Sequence, residues 1–291
     1  MVTWAPEQTG SGWLETDGVR LHYLSRGSGE PVVMLHGNPT SSYLYRHFVD
    51  PLAAAGYRAI AHDQLGFGRS DKPADEGAYT VSRHVRHFGA LVDELGLADV
   101  TLVVHDWGGP VGLGWAVEHP ELVKRLVLLN TVAWPAPRRR PMLGYRILAS
   151  RGLGDFLVRR AHAVVRYAQL RRLVARPLPE TDRRAYLAAH PTPASRTGIL
   201  AYIRLADEAV RGGPARDALE RVGARLELLR DKPTLIVWGL RDPILKPSLL
   251  KAWRRRFPDA EVHELADASH FLQDDAHERI VPLLVDFLRR T

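Results

Sequence analysis

Short apolar segments alternate with longer amphipathic segments along most of the chain. The first two, 13–16 and 19–24, flank Asp17-Gly18, a spacing that predicts a β-hairpin. Further strands are predicted where apolar runs lie between turn-forming residues, at 31–35, 57–61, 101–104, 126–129, 234–238 and 261–265. Helices are predicted where apolar residues recur every three or four positions, at 41–55, 81–95, 109–117, 248–257 and 275–288. Apolar strands that alternate with helices indicate a parallel sheet covered on both faces.

This alternation stops between residues 134 and 225. Helical patterns continue there at 153–173, 183–189 and 198–210, but no apolar strand separates them. We therefore expect a core domain formed by 1–133 and 226–291, with a helical cap domain formed by 134–225. Such an insertion after a central strand lies over the ends of the strands, where ligands bind in open α/β sheets.

Composition excludes several kinds of chemistry. The chain has 291 residues, of which 45% are hydrophobic, so it can bury a large core. It has no cysteine, which excludes disulfides, a thiol nucleophile and cysteine-ligated metals. No apolar run reaches the length of a membrane span, and the first residues have neither the basic flank nor the apolar stretch of a secretion signal. We expect a cytoplasmic protein.

The net charge is +7, and most of the positive charge is arginine. Arginines cluster in the expected cap at 138–140, 159–160, 171–172 and 183–184. No interleaved aromatic residues or nucleic-acid-binding motif accompany them, so we interpret the clusters as solvated helix faces. We expect neither a nucleic acid nor a membrane as a partner. The sequence leaves the oligomeric state open.

The segment 103–109 (VVHDWGG) places a carboxylate where a buried strand turns into a helix. Gly108 and Gly109 allow a tight turn and close packing of the helix on the sheet. An ionised Asp106 can attack an electrophilic carbon directly and form an alkyl ester, whereas a serine first needs a base. We predict that Asp106 is a nucleophile; the structural alternative is a helix-capping aspartate.

Two further residues complete a predicted catalytic triad. When a nucleophile occupies such a strand-to-helix turn, its acid and then its histidine follow in the chain. His270 lies after the last predicted strand and can activate water as a general base. Asp242 directly follows the strand 234–238 and can orient the imidazole, although it also suits an Asp-Pro turn. The rival position after strand 126–129 is Asn130, which cannot supply a negative charge.

Hydrogen-bond donors are expected from Asn38 and Trp107. Asn38 lies in the turn 36–39 (HGNP), directly after a predicted strand. The backbone amides of Asn38 and Trp107 could form an oxyanion hole. Their side-chain N–H groups could hold a departing anion opposite the attacking carboxylate. The structural alternatives are an ordinary turn asparagine and a core tryptophan.

Three segments resemble the haloalkane dehalogenase family: 36–46 (HGNPTSSYLYR), 63–73 (DQLGFGRSDKP) and 105–109 (HDWGG). The resemblance extends over nearly the whole length. It implies an α/β-hydrolase fold, with a mostly parallel sheet flanked by helices and a helical cap inserted after a central strand. Gln64 departs from this pattern, since many relatives carry leucine or arginine there.

The resemblance also implies a function. Asp106 would be the nucleophile, His270 the base and Trp107 one halide donor. Asn38 combined with an acid after the later strand, Asp242, is similar to the third subfamily. The implied reaction is the hydrolysis of a small uncharged haloalkane to an alcohol, halide and a proton, without cofactor or metal.

The expected cap would line an apolar tunnel. Candidate lining residues are Trp134, Phe156, Leu245 and Phe271. The main alternative function is an epoxide hydrolase, which shares the nucleophile turn but protonates an alkoxide with cap tyrosines. The candidates for that role are Tyr145, Tyr167, Tyr186 and Tyr202, of which Tyr202 is the best placed by its helical context. Asn38 argues against this alternative, because epoxide hydrolases usually carry an aromatic residue there. A binding protein without catalysis is a further alternative.

Overall fold

A computed structural model describes residues 10–135, 143–168 and 173–291. Its strands form one eight-stranded sheet with the order β1-β2-β4-β3-β5-β6-β7-β8. The strands are β1 (Gly10–Thr16), β2 (Val19–Arg26), β3 (Pro31–Leu35), β4 (Arg58–His62), β5 (Val100–Asp106), β6 (Val123–Thr131), β7 (Thr234–Gly239) and β8 (Glu261–Leu265). Strand β2 is antiparallel to both neighbours, and all pairs from β4 to β8 are parallel. This is the expected mostly parallel sheet.

The helices of the core cover both faces of the sheet. They are α1 (Arg46–Ala54), α2 (Val81–Glu94), α3 (Gly108–Ala116), α10 (Pro247–Arg256) and α11 (Leu272–Arg290). Helices α2, α3 and α10 pack on one face, and α1 and α11 pack on the other. Alternate side chains of β5 enter these two cores: Leu102 and Val104 pack on the α3 side, and Val103 packs on the α1 side. Because both faces are covered, the segment 102–104 of β5 is continuously apolar.

The described residues between β6 and β7 form six α-helices. They are α4 (Leu143–Ala149), α5 (Leu153–Asp155), α6 (Ala163–Ala168), α7 (Glu180–Ala188), α8 (Thr197–Arg211) and α9 (Pro214–Arg225). Side chains of α8 form a separate apolar cluster with Phe67 and Trp107 of the core. Helix α9 contributes to this cluster and, through Val222, to the α2 and α3 core. The division into core and cap at residues 133 and 226 stays a prediction.

One expectation for this region was wrong, and one helix was not predicted. The predicted helix 153–173 is interrupted: a five-residue π-helical turn, Phe156–Arg160, follows α5, and His162 then adopts a left-handed φ of 55°. An L-residue in that conformation cannot continue a right-handed helix. Residues 169–172 of this prediction lie outside the described part of the chain. Helix α9 was missed, although Pro214 at its first turn after two glycines is a helix-start signal. Among the described helices, none is long and apolar enough to cross a membrane.

The packing of α3 on the sheet depends on Gly108. A Cβ atom at this position would lie 2.3 Å from the carbonyl oxygen of Leu35 and 2.9 Å from that of His36. Both oxygens belong to the backbone where β3 ends, so they cannot rotate away. Only glycine therefore lets the helix start this close to β3.

We predict that Gly108→Ala lowers the free energy of unfolding by about 2 kcal/mol or more, because the added methyl group overpacks this junction. Urea denaturation followed by circular dichroism measures the change. The matched control is Gly144→Ala, since a Cβ atom at Gly144 meets no atom within 4 Å. A Gly108→Ala variant as stable as the wild type would contradict this account of the junction.

Candidate active site

Asp106 occupies a strained turn between β5 and α3. Its φ is 48°, in the left-handed region that costs energy for any residue with a side chain. The hydroxyl of Thr131, on neighbouring β6, donates to the Asp106 carbonyl oxygen at 2.6 Å. The loop after β3 also lies against Asp106, since a Cβ atom at Gly37 would lie only 2.2 Å from Asp106 Oδ1. The turn thus projects the carboxylate from the edge of the sheet.

The carboxylate of Asp106 receives two backbone hydrogen bonds. The amide of Asn38 donates to Oδ1 at 2.8 Å, and the amide of Trp107 also donates to the carboxylate. Burial raises the pKa of Asp106, while the nearby His270 and these two amides oppose the increase. The side chain is 14% exposed. The anion is therefore held in position with little bulk water around it.

His270 lies between the two carboxylates. Its Nδ1 is 2.7 Å from Asp242 Oδ2, and its Nε2 is 3.7 Å from Asp106 Oδ2. A proton on Nδ1 satisfies the Asp242 contact, which leaves Nε2 as the acceptor that faces Asp106. The sequence-predicted residues Asp106, Asp242 and His270 thus come together in one cluster.

Electrostatics favour a positive charge on this imidazole. Burial lowers the pKa of His270, but the charge and hydrogen bond of Asp242, together with the charge of Asp106, raise it above its ordinary value. Burial raises the pKa of Asp242, yet its contacts with His270, Asn130 and the Leu245 amide bring it below the ordinary value. Asp242 therefore remains ionised and stabilises a protonated His270.

Asn130 holds Asp242, a contact that the sequence did not predict. Its Nδ2 donates to Asp242 Oδ2 at 2.7 Å and to the Gly239 carbonyl at 3.2 Å, while its Oδ1 accepts from the Gly239 amide at 2.7 Å. The amides of Ile244 and Leu245 donate to the other carboxylate oxygen. The rejected rival position thus orients the acid. Asn130 lies near the end of β6, next to the strand that Asp242 follows, and this position was the sequence signal that could have predicted the contact.

His105 provides a second contact that the sequence missed. It precedes Asp106 on β5, is fully buried, and has Nε2 at 2.9 Å from the His270 carbonyl oxygen. Burial lowers the pKa of His105 well below its ordinary value, so the neutral ring donates this hydrogen bond. The loop that carries the imidazole is therefore attached to the strand that carries the carboxylate.

The side chains of both predicted donors, Asn38 and Trp107, have partners on α8. Asn38 Nδ2 is 3.4 Å from the carbonyl oxygen of Ile199 on α8, and an amide nitrogen has a second N–H to offer. Asn38 Oδ1 is buried and has no partner among the described residues. The indole of Trp107 packs edge-to-face against Tyr202, with ring centroids 5.1 Å apart. Helix α8 thus contacts both side chains.

The expected tunnel residues separate into two pairs. Phe271 is buried with its ring centroid 5.3 Å from that of His270, and Leu245 lies beside the acid through its amide. Trp134 instead packs on Trp253 of α10, with ring centroids 4.6 Å apart. Phe156 is 58% exposed. Trp134 and Phe156 therefore do not fit the expected tunnel wall.

The cap tyrosines also differ from expectation. Tyr202, the best-placed candidate of the epoxide hydrolase alternative, donates its hydroxyl to Gln64 Oε1 at 2.6 Å. Tyr186 donates to Asp274 at 2.8 Å, and Tyr167 is 45% exposed. Tyr145 packs against the cluster that contains Trp107, and burial together with the charges of Asp106 and Asp242 raises its pKa. Among the four candidate tyrosines, Tyr145 is thus the one whose pKa is raised by the charges of both Asp106 and Asp242, and its hydroxyl bonds to no other described residue.

Comparison with known proteins gives the family and the fold of the chain. The family model of the α/β-hydrolase fold matches residues 30–277. A haloalkane dehalogenase from Mycobacterium marinum is 36% identical, over 94% of this chain and 90% of its own length. The chain belongs to the haloalkane dehalogenase family.

Two further relatives each match 96% of this chain. A crystal structure of the haloalkane dehalogenase DatA from Agrobacterium tumefaciens superposes with a TM-score of 0.85, at 32% identity and over 96% of both chains. A cis-3-alkyl-4-alkyloxetan-2-one decarboxylase from Shewanella oneidensis is 38% identical, over 96% of this chain and 88% of its own length. The predicted family and fold are confirmed. The protein is a haloalkane dehalogenase-like hydrolase.

The charge of Asp242 predicts a particular pH dependence. A general base must be neutral, so activity falls as pH decreases through the pKa of His270, which Asp242 holds above the ordinary 6.5. We predict that Asp242→Asn moves this acidic limb to lower pH and lowers the plateau rate by about 100-fold or more.

The pH profile of product formation tests this prediction. Asp267→Asn is the matched control, because Asp267 is half-exposed in the loop that carries His270 and pairs with Arg279 instead. An acidic limb that stays in place in Asp242→Asn would show that another group controls it.

Proposed function

We propose that this protein is a haloalkane dehalogenase that hydrolyses carbon–halogen bonds of small uncharged haloalkanes through an ester on Asp106. The observation that carries the proposal is the Asp106 carboxylate itself, which is held by two amides and has His270 Nε2 at 3.7 Å from its Oδ2. A carboxylate suits attack on saturated carbon that bears a leaving group. The reaction would need no cofactor.

In the first step, a carboxylate oxygen of Asp106 attacks the carbon that carries the halogen. The new carbon–oxygen bond forms as the carbon–halogen bond breaks, and the halogen leaves with the electron pair as halide. The side-chain N–H groups of Asn38 and Trp107 stabilise this developing anion. An alkyl ester of Asp106 remains.

In the second step, water cleaves the ester. His270 Nε2 removes a proton from water as the oxygen attacks the ester carbonyl carbon. The backbone amides of Asn38 and Trp107 stabilise the oxyanion, as they already bind the carboxylate. Collapse of the intermediate releases the alcohol and restores Asp106, while Asp242 stabilises the imidazolium until its proton leaves.

The surroundings of Trp107 favour an apolar substrate. Its indole belongs to a cluster with Phe67, Ile199 and Ile203, and Val158 lies in the same cluster. These side chains offer no charge to grip a substrate carboxylate. We retain the expected cap boundaries and cytoplasmic location as parts of the same proposal.

The covalent step gives the first test. With 1-bromobutane we expect Asp106→Ala to release no bromide, because the nucleophile is absent. His270→Phe should release about one equivalent of bromide per protein and then stop, because the ester forms but is not hydrolysed. Intact-mass spectrometry should detect one added butyl group in that variant. Continued turnover by Asp106→Ala, or an unalkylated His270→Phe after bromide release, would contradict the mechanism.

A second candidate is a decarboxylase of cis-3,4-dialkyloxetan-2-ones, which the 38% identity to the Shewanella relative favours. Attack of Asp106 on ring carbon C4 would break the bond to the ring oxygen and free a carboxylate. Loss of carbon dioxide from that carboxylate would form an alkene and expel Asp106. The first step thus has the same geometry as dehalogenation, with an oxygen anion as the leaving group.

Substrates presented in parallel distinguish these functions. We expect the wild type to release bromide from 1-bromobutane. The decarboxylase would be favoured if alkene formed from a cis-3,4-dialkyloxetan-2-one faster than bromide is released. Styrene oxide tests the remaining alternative: diol formation that Tyr145→Phe abolishes would favour an epoxide hydrolase. Asp106→Ala is the common control, since all three reactions require the nucleophile.

A further inference from the structure

Gln64 connects two parts of the active site. It follows β4 and is fully buried. Its backbone amide donates to His36 Nε2 at 3.1 Å, and its side-chain Nε2 donates to the His36 carbonyl oxygen. Its Oε1 accepts the hydroxyl of Tyr202 at 2.6 Å. One side chain therefore bonds both the loop after β3 and helix α8.

These two bonds lead to the two side chains that border the nucleophile. The His36 carbonyl lies two residues before Asn38, whose amide binds Asp106. The ring of Tyr202 packs at 88° against the indole of Trp107. The bridge from Gln64 thus extends toward Asn38 in one direction and toward Trp107 in the other.

The ring of Tyr202 has little freedom of its own. Phe67 and His84 pack against it with ring centroids 5.1 and 5.0 Å away. The ring is 1% exposed. Its hydroxyl is buried and bonded to Gln64, so any tilt of the ring would break a buried hydrogen bond. The position of the indole is therefore coupled to Gln64.

We propose that Gln64 and Tyr202 are a positioning pair that fixes the separation of the Asn38 and Trp107 side chains. The inference rests on the proposed function, in which these two side chains hold the halide. A halide held by two donors binds best when their separation matches its diameter, and a rigid separation discriminates chloride, bromide and iodide by size. The pair would thus set halide preference without touching the halide.

The same bond restricts the reaction in a second way. Because the hydroxyl of Tyr202 donates to Gln64, it is not offered to an oxygen leaving group.

The test measures dissociation constants of chloride, bromide and iodide by titration calorimetry for the wild type, Tyr202→Phe, Gln64→Leu and the double variant. We expect Tyr202→Phe to weaken bromide binding about fivefold, as loss of one hydrogen bond implies. The preference among the three halides should also flatten. The double variant should resemble Gln64→Leu, because both changes break the same bond.

Tyr79→Phe is the matched control. Tyr79 also packs at the contact between the core and α8, and its hydroxyl donates to the Pro73 carbonyl at 2.8 Å. It has no ring contact with Trp107, so halide binding should stay at the wild-type level. Thermal unfolding recorded in parallel separates a general loss of stability from a change in halide preference.

Unchanged halide affinities and preference in Tyr202→Phe, with a wild type that binds bromide, would overturn the positioning role. This variant removes one oxygen atom, so it keeps the test valid if Gln64→Leu does not fold. A wild type that neither binds bromide nor releases it from 1-bromobutane would overturn the proposed function and the positioning role together.

Discussion

The backbone of Asp106 is the constraint on which the site depends. A left-handed φ of 48° at a residue with a side chain costs about 1 kcal/mol or more. The sheet compensates for this strain because β5 is paired on both sides, so the strand end cannot move to relax it. The bond from Thr131 and the close approach of Gly37 leave the carboxylate one direction in which to project. The strained backbone thus fixes the orientation of the Asp106 carboxylate.

Parallel strands explain how the remaining groups reach that carboxylate. Asp106 and Gly239 end β5 and β7, and Asn130 is the next-to-last residue of β6 between them, so all three lie at one edge of the sheet. Asp242 and His270 follow β7 and β8 at this same edge. Asn130 then orients Asp242, and His105 holds the His270 loop. Residues far apart in sequence therefore meet because their strands end at the same edge of the sheet.

The sequence pattern was sufficient to predict those site residues that directly follow a strand. Asp106, Asp242 and His270 each follow an apolar strand, and their order along the chain was sufficient to propose one cluster. The break at His162 could not be predicted, because its left-handed backbone interrupts a continuous helical pattern. The partner of Tyr202 could not be predicted either, since Gln64 lies 138 positions earlier and helical context gives no information about so distant a hydroxyl acceptor. Side-chain bonds between separate elements depend on the folded geometry and leave no periodic signal.

In the proposed mechanism, an oxygen atom of Asp106, and not one of water, first becomes bonded to the substrate carbon. A single turnover of 1-bromobutane with excess protein in ¹⁸O-labelled water tests it directly. We expect unlabelled 1-butanol and one ¹⁸O atom in the peptide that contains Asp106, because water attacks the ester carbonyl carbon. Labelled 1-butanol and an unlabelled Asp106 would contradict it, since water would then have displaced the halide itself.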